Sequence, residues 1–458
     1  MIQTSMSMTS IRRREFIQKT GASGLGIMMA PQFLKARDDQ KARIGLIGVG
    51  LRGRNHLKLC LQRDDVEVVA ICDIDPQAIA LSENMIRESG QKKATVFTGD
   101  EFAWKDLSEM DELDGVIIST PWRWHAQMAI SSMKNGKYAG VEVPLGLTVQ
   151  ECWDVVNTSE ETGMPCMLLE NVCYRRDVMA VLNMVREGLF GEMIHLEGGY
   201  QHDLRHVKFN DGKQAYGGGV EFGEKGFSEA KWRTDHSVNR NGDLYPTHGI
   251  GPVAQYANIN KGNRFVYLTS MATKSRGLHN YVVNQGGENH PNARVEFKLG
   301  DIVTTLIKTQ NGETITLNHD TNLPRPYSLG FRVQGTKGIW MDINDSLYLE
   351  GVSKQAHKWE PAQPYLDQYD HPLWAKYGEH AAGAGHGGMD FFVVHAFVEA
   401  IKRKAQTPID VYDGASWSVI TPLSEKSIAM GSEPVDFPDF TKGKWMRRGQ
   451  EFALDDSY

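Results

Sequence analysis

The chain has little of what several protein classes require. Its five cysteines include no Cys-x-x-Cys pair, and an odd count without metal-ligand spacing favours buried free thiols over disulfides or a zinc site. No apolar run approaches the roughly 20 residues that span a bilayer. Basic residues are not in excess, because the formal net charge is -7, so no positive field is available for nucleic acid. We therefore expect a globular protein of about two or three domains, without a structural metal or a nucleic-acid partner.

The first residues of the chain predict an export signal. Arg13 and Arg14 open a basic segment, and a weakly apolar run follows at 21–30. This order resembles a twin-arginine signal, which is not part of the fold. A basic disordered tail is the alternative interpretation. We interpret 1–36 as the signal and expect a periplasmic protein that the twin-arginine machinery exports.

The stretch 41–170 alternates apolar strands with helical segments. Strands are predicted at 43–47, 66–72, 115–120, 138–141 and 164–169. Apolar strands separated by helices are typical of a parallel, doubly wound sheet with helices on both faces. We therefore predict a Rossmann domain over this stretch.

The pattern changes in the stretch 171–458. An amphipathic helix is predicted at about 175–186, and a late helix near 388–402 is expected to pack back on the body. Alternation or β-branched residues indicate strands at 193–200, 302–307 and 314–317. Such strands favour an antiparallel sheet whose loops carry a site. The predicted fold class is α/β, with an N-terminal Rossmann domain and an α+β substrate-binding domain on a mostly antiparallel sheet.

A glycine-rich turn joins the first predicted strand to the first helix. In a G-x-G-x-x-G turn, Gly48 permits the tight bend, Gly50 lets the backbone approach a pyrophosphate, and Gly53 allows close helix packing. Asp73 ends the next strand, where it can accept hydrogen bonds from the adenosine ribose, although a simple turn residue would look the same. Its charge favours NAD over NADP, while Arg52 leaves that choice open. The cofactor expected is NAD, with Leu51 and Arg52 at the start of the helix also in contact with it.

Further cofactor contacts are predicted from polar and aromatic residues at the carboxyl ends of later strands. These residues are Trp122, Arg123, Trp124, His125, Glu142, Val143 and Asn171. Each is also compatible with helix capping or strand-end packing. Because the carboxyl ends of parallel strands share one edge of the sheet, where dinucleotides bind, we favour the functional interpretation.

Two resemblances to known protein families narrow the range of expected functions. The pattern Thr120-Pro121 followed by His125 is similar to the glucose–fructose oxidoreductase and inositol dehydrogenase superfamily. That superfamily normally continues with Glu-Lys-Pro, in which the lysine assists oxidation of a hydroxyl. Here Val143 replaces the lysine. A valine cannot transfer a proton, so the resemblance implies a retained cofactor without the usual acid or base.

The second resemblance covers nearly all of the predicted mature chain. Motifs at 170–179, 199–205, 232–234, 241–252, 323–330 and 385–388 resemble glycoside hydrolase family 109, and Glu142-Val143-Pro144 belongs to the same pattern. The resemblance implies an α-N-acetylgalactosaminidase with tightly held NAD that is regenerated in each cycle. Its partner would be a glycan or glycoconjugate with terminal α-N-acetylgalactosamine. A second copy of the chain is left open as a further partner.

The second-domain motifs are rich in Tyr, His and Arg and show no obvious carboxylate pair of the kind that standard glycosidases use. This composition suits a redox route of C3 oxidation, C1–C2 elimination, water addition and re-reduction. A sugar oxidoreductase with net turnover is the main alternative. A sugar-sensing protein that uses NAD only structurally is the non-enzymatic alternative.

Candidate catalytic residues come from the same motifs. Histidine can shuttle a proton near neutral pH, which makes His248 the first candidate for contact with the C3 hydroxyl. Tyr174 is a weaker candidate for the C2 base, and a packing role is equally compatible with its position. The residues expected to bind the sugar are Tyr200, Arg233, Tyr245, His248 and Tyr327. Nearby histidines and Asp203 lack compact metal-ligand spacing.

Overall fold

The computed structural model describes residues 41–458, so the predicted signal at 1–36 lies outside the described residues. The first part of the described chain forms a six-stranded sheet in the order β3-β2-β1-β4-β5-β6. Its strands are β1 (Ala42–Ile47), β2 (Val66–Cys72), β3 (Thr95–Phe97), β4 (Gly115–Ile118), β5 (Tyr138–Val141) and β6 (Cys166–Leu168). Every neighbouring pair is parallel. The prediction of a Rossmann-type sheet is confirmed.

Helices connect the parallel strands, as parallel pairing requires. They are α1 (Leu51–Leu61), α2 (Pro76–Glu88), α3 (Trp104–Glu109), α4 (His125–Lys134) and α5 (Val149–Thr162). The central strand β4 is buried throughout, which explains its purely apolar sequence. The short edge strand β3 was not predicted, because its three residues are exposed or half-buried and show no apolar run.

The second sheet has nine strands in the order β14-β13-β12-β11-β7-β10-β9-β8-β15. Its strands are β7 (Met193–Gln201), β8 (Phe265–Ala272), β9 (Ile302–Thr309), β10 (Thr314–Asp320), β11 (Arg332–Gly335), β12 (Gly338–Met341), β13 (Ser346–Leu349), β14 (Glu360–Pro361) and β15 (Val435–Asp436). Strands β7 and β10 pair in parallel, and the other pairs are antiparallel. The expected mostly antiparallel sheet is therefore confirmed.

The remaining helices pack partly on this sheet and partly on the first one. They are α6 (Arg176–Arg186), α7 (Arg205–Lys208), α8 (Arg233–Asn239), α9 (Thr247–Tyr256), α10 (Gly277–Gly286), α11 (Gln363–Gln368), α12 (Pro372–Ala381), α13 (Met389–Arg403), α14 (Val411–Ser418) and α15 (Ile420–Ala429). Helix α13 lies against the first sheet, where a Cβ on Gly115 would be 2.5 Å from Ile401 and one on Gly140 would be 3.1 Å from Phe397. The C-terminal part of the chain therefore helps to build the core beneath the cofactor edge.

The five cysteines are free and buried, as predicted. Burial raises the pKa of the Cys60 thiol to about 12, so this group behaves as an apolar side chain. Within residues 41–458, no helix has both the length and the apolarity that crossing a membrane would need.

Candidate active site

The turn between β1 and α1 has the shape of a dinucleotide cradle. Gly48 has a φ of 83°, and a Cβ there would lie 2.6 Å from the Ser119 carbonyl oxygen. A Cβ on Gly53 would lie 1.8 Å from the Gly48 carbonyl oxygen, whereas one on Gly50 would meet nothing within 4 Å. Helix α1 starts without a side-chain cap or an acidic residue in its first turn. Its free N–H groups therefore fit a pyrophosphate.

Asp73 follows β2 at the same edge of the sheet. Its carboxylate accepts hydrogen bonds from the backbone N–H groups of Val49 (2.8 Å) and Asp75 (2.9 Å). Burial raises its pKa, and these backbone donors oppose the rise. The remaining lone pairs of the carboxylate suit the ribose hydroxyls of an adenosine placed over β2. In this strand order the ends of β4, β5 and β6 would remain for the nicotinamide half.

The predicted aromatic segment after β4 faces two directions. The Trp122 ring lies 5.2 Å from the Trp232 ring and 5.7 Å from the Tyr245 ring, so it faces the second domain. The Trp124 ring instead lies 5.7 Å from Phe102 within the first domain. Arg123 stacks over Trp124 with 69% of its side chain exposed. Of these three, only Trp122 joins the cluster of predicted sugar-binding residues.

His125 ties together two of the strand ends. Its Nδ1 and Nε2 atoms lie 2.7 and 2.8 Å from the carbonyl oxygens of Pro144 and Thr120. Val143 is only 3% exposed and packs in the core, and the peptide bond to Pro144 is cis. Position 143 therefore contributes shape to the cofactor edge and no proton-transfer group.

A buried charge network connects the other predicted cofactor residues. Arg52 Nε donates to Glu142 (2.6 Å), and Arg52 Nη1 donates to Asp390 (2.7 Å). His56 lies 2.7 Å from the same Glu142 oxygen. Burial opposes ionisation of Glu142, but the charge of Arg52 and the contact with His56 outweigh it and lower the pKa to about 2. Asn171 reaches the network through Asp390 at 2.7 Å.

His248 forms a dyad with Glu170. The Nδ1 atom of His248, near the start of α9, lies 2.7 and 2.9 Å from the two carboxylate oxygens of Glu170, which follows β6. Glu170 is fully buried. Helix α9 packs closely on β7, and this contact requires glycine at position 249. A Cβ there would lie only 2.4 Å from the Gly199 backbone nitrogen. This close approach of backbones positions the imidazole beside the second sheet.

Two predicted tyrosines flank this imidazole, and a third lies further out. The rings of Tyr200 and Tyr245 lie 5.2 and 4.9 Å from the His248 ring. Tyr327 lies 6.4 Å from Tyr200 and is 48% exposed, so it stands at the mouth of the cluster. The Tyr200 hydroxyl is 3.2 Å from His202 Nδ1. The structure thus brings together residues that the sequence places more than 100 positions apart.

Arg233 supplies the positive charge of the cluster. Its guanidinium lies 5.2 Å above the Trp122 ring and 5.1 Å from the Tyr245 ring, and it pairs with Glu229. Burial raises the pKa of Tyr200 to about 12, and the charge of Arg233 acts against this rise. Burial, with the charges of neighbouring cations, lowers the pKa of His202 to about 4. The His202 imidazole is therefore neutral near pH 7.

The structure contradicts the prediction for Tyr174. This residue is 0% exposed, and its ring packs 5.2 Å from Phe452 and 6.2 Å from Phe392. Its hydroxyl is buried without a hydrogen-bond partner in the described chain. A helical turn over Asn171–Tyr174 keeps Asn171 at the cofactor edge and turns the tyrosine into the core. Tyr174 is a packing residue and cannot reach a sugar.

Two residues of the site received no specific role from the sequence. Glu170 carried a usable signal, because it directly follows a buried strand at the cofactor edge. Asp390 carried none, since its partners Arg52 and Asn171 are 338 and 219 positions away.

Comparison with known proteins agrees with this arrangement. Residues 174–447 match the model "Glycosyl hydrolase 109, C-terminal domain", and residues 42–169 match "Oxidoreductase family, NAD-binding Rossmann fold". The chain is 56% identical to a glycosyl hydrolase family 109 protein of Stenotrophomonas maltophilia, covering 98% of this chain and 100% of that one. It is 50% identical to an α-N-acetylgalactosaminidase of Tannerella forsythia, covering 96% and 99%.

Solved structures show the same fold at low identity. A levoglucosan dehydrogenase in complex with NADH and L-sorbose has a TM-score of 0.64 and 22% identity, covering 88% of this chain and 100% of that one. A scyllo-inositol dehydrogenase of Lactobacillus casei with bound NAD(H) and scyllo-inositol has a TM-score of 0.58 and 14% identity, covering 87% and 99%. The first domain is an NAD-binding Rossmann domain.

Proposed function

Because this chain belongs to glycosyl hydrolase family 109, we propose that it hydrolyses terminal α-linked N-acetylgalactosamine through a redox cycle at C3. The observation that carries this proposal is the Glu170–His248 dyad, which faces a tyrosine cluster at the carboxyl edge of an NAD-binding sheet. The substrate class follows from the relatives of Tannerella forsythia and Shewanella oneidensis, which are named α-N-acetylgalactosaminidases.

The state of the carboxylates supports a redox route over direct displacement. Glycosidases of the common type place two carboxyl groups on either side of the bond that is cleaved. At this edge Glu142 is bound by Arg52, and Glu170 is bound by His248. Glu229 pairs with Arg233. Their engagement in ion pairs or with an imidazole leaves these three glutamates poorly suited to act as such a pair.

His248 would move the proton of the C3 hydroxyl. When bound, NAD supplies the hydride acceptor for C3 oxidation and the donor for the final reduction. With its Nδ1–H donated to Glu170, the imidazole presents Nε2 as a base. The buried carboxylate orients the ring and stabilises the imidazolium that forms, as the third member of a catalytic triad does.

Tyr200 replaces Tyr174 as the candidate for the C2 base. A ketone at C3 acidifies the C2–H bond, so a base near the same face of the sugar can remove that proton. The Tyr200 hydroxyl is close to neutral His202 and to the positive charge of Arg233. The charge of Arg233 favours loss of the tyrosine proton, whereas burial opposes it. Loss of the C2 proton then expels the C1 substituent, and water adds to the double bond.

Net oxidation of a sugar is the competing function, and Val143 argues against it. The structural relatives include dehydrogenases, but a buried valine cannot act as the acid or base of such an enzyme. The deciding experiment uses purified protein without added NAD. We expect release of p-nitrophenol from its α-N-acetylgalactosaminide and no accumulation of NADH. A parallel assay with excess NAD tests the alternative, because formation of NADH in proportion to sugar, without cleavage, would refute the proposal.

We also propose that the protein is exported through the twin-arginine route with its cofactor already bound. This route moves folded proteins, and the predicted signal contains Arg13 and Arg14. A redox cycle that returns its hydride needs no exchange of NAD outside the cytoplasm. Dinucleotide should therefore co-purify with the periplasmic protein, and its absence from fully active protein would contradict the proposal.

A further inference from the structure

Asp390 is a buried centre of hydrogen bonding at the cofactor edge. It is the second residue of α13 and is fully buried. Its two oxygens lie within 2.7 Å of four side-chain nitrogens, those of Arg52 (2.7 Å), Asn55 (2.6 Å), Asn171 (2.7 Å) and His386 (2.7 Å). The partners come from α1, from the turn after β6 and from the loop before α13. One carboxylate therefore joins three distant segments of the chain.

The network restrains two residues predicted to contact NAD. Arg52 is held from both sides, because it donates to Glu142 (2.6 Å) as well as to Asp390 (2.7 Å). The amide nitrogen of Asn171 donates to Asp390, which fixes the orientation of this side chain at the end of β6. Arg52 belongs to the first turn of α1, where the free N–H groups fit a pyrophosphate. Without Asp390, Asn171 would lose this hydrogen bond and Arg52 would keep only its bond to Glu142.

The charges explain why the carboxylate is tolerated in the interior. Burial opposes ionisation of Asp390, but the hydrogen bond with His386 and the charge of Arg52 hold its pKa well below the usual range. A buried carboxylate deprived of its partners is costly, so the network forms or breaks as a unit. Such a network can hold the residues of a binding site in fixed positions.

The loop before α13 is shaped to reach this network. A Cβ on Gly385 would lie 2.7 Å from Asp390 Oδ2 and 3.2 Å from Asn55. His386 has a φ of 43°, in the left-handed region that a non-glycine residue rarely adopts, and 60% of its side chain is exposed. Such local strain persists where the surrounding structure demands it. The glycine loop thus lets a short, strained segment contact α1.

We propose that Asp390 is a positioning residue for the dinucleotide, and that the 385–390 segment forms part of the cofactor site together with the first turn of α1 and the residues after β6. It acts through Arg52 and Asn171, which it holds in place, and it sets how tightly NAD is bound. The inference rests on the proposed function only in that NAD is the cofactor. It assigns to α13 a role beyond packing on the sheet.

The main test is NAD binding by calorimetry to cofactor-stripped full-length protein. Asp390→Asn keeps the size of the side chain but removes its charge. It also turns an amide NH2 group towards neighbours that are themselves donors, so we expect the affinity for NAD to fall by at least about tenfold. Asp413→Asn is the matched control, because Asp413 is also buried and accepts from Lys261 (2.7 Å) and Asn260 (3.1 Å). Asp413→Asn should lower the melting temperature while leaving NAD affinity within about twofold.

A second pair of variants tests the 385–390 segment without removing any polar group. Gly385→Ala places a methyl against the Asp390 carboxylate, whereas Gly387→Ala also alters a left-handed glycine but meets nothing within 4 Å. We expect only Gly385→Ala to weaken NAD binding. This pair decides the question if Asp390→Asn does not fold.

The hydrolytic activity of the variant distinguishes a positioning role of Asp390 from a general structural role. Excess NAD should restore most of the activity of Asp390→Asn, because its defect lies in cofactor retention. Affinity for NAD within twofold of wild type in both Asp390→Asn and Gly385→Ala would overturn the inference. If the wild-type protein itself did not bind NAD, the proposed function would fail instead.

Discussion

Glu170 and His248 are 78 positions apart in the chain, yet both carboxylate oxygens of Glu170 lie within 2.9 Å of His248 Nδ1. The glutamate comes from the edge of the NAD-binding sheet, and the histidine comes from a helix pressed against the second sheet. The dyad therefore spans the two halves of the site. In the proposed reaction, its imidazole would lie between the nicotinamide half of the cofactor and the sugar.

We expect Glu170→Gln to slow hydrolysis without abolishing cofactor binding. The amide cannot stabilise an imidazolium and can present its NH2 group to Nδ1, so proton removal from the C3 hydroxyl should fall by roughly 10²- to 10⁴-fold. The measurement is kcat for p-nitrophenyl α-N-acetylgalactosaminide, with NAD content as the control. Unchanged kcat would show that the dyad does not act in the reaction.

The two tyrosine candidates can be separated by isotope exchange. Turnover in heavy water should place deuterium at C2 of the released sugar, because the C2 proton is lost and regained. Tyr200→Phe should suppress this labelling, whereas Tyr174→Phe should change only stability, since Tyr174 is buried in the aromatic core. Proton NMR of the product measures the label. A fully protonated C2 in the wild-type product would exclude the elimination route.

Replacing Val143 with lysine should impair hydrolysis without creating an efficient dehydrogenase. The valine side chain is buried, so a lysine there would lose solvation and disturb the neighbouring Glu142–Arg52 pair. Val143→Met, which adds volume without charge, is the matched control. Hydrolysis that survives Val143→Lys at the wild-type rate would place position 143 away from the chemistry.

Stability should fall in acid because of Glu142. Its folded-state pKa of about 2 lies below its ordinary value of 4.5, so the stabilisation is present above pH 4.5 and is lost as the pH falls towards 2. The loss amounts to at most about 3 kcal/mol. Melting temperature against pH measures it, and Glu142→Gln should show a weaker dependence over this window. Equal slopes in the two proteins would contradict the assignment.

The export proposal has a simple genetic test. Changing Arg13 and Arg14 together to lysine keeps the charge but removes the residue pair that the twin-arginine machinery requires. We expect the variant to stay in the cytoplasm, loaded with NAD and active. Periplasmic activity equal to wild type would refute this route.

Much of the cofactor half was predictable from local patterns. The strands, the turn from Gly48 to Gly53 and the strand-end position of Asp73 depend on residues that are close in sequence. The resemblance to the hydrolase family also pointed to Tyr200, Tyr245, Tyr327 and His248, which the structure brings together. The prediction of a catalytic role for Tyr174 failed for a physical reason. A single helical turn sets which side of the backbone faces the core, and local sequence does not fix that choice.

The sequence by itself determined the parallel sheet, the glycine turn and the lack of a proton-transfer group at Val143, since each is a property of contiguous residues. Only the tertiary structure decided that Glu170 orients His248, that Trp122 and Trp124 face opposite ways, and that Asp390 holds Arg52. These relationships join residues on different elements, or depend on which neighbours surround a side chain. Periodicity and propensity describe the path of a local segment, whereas the distance between side chains on separate segments is set by how helices and sheets pack.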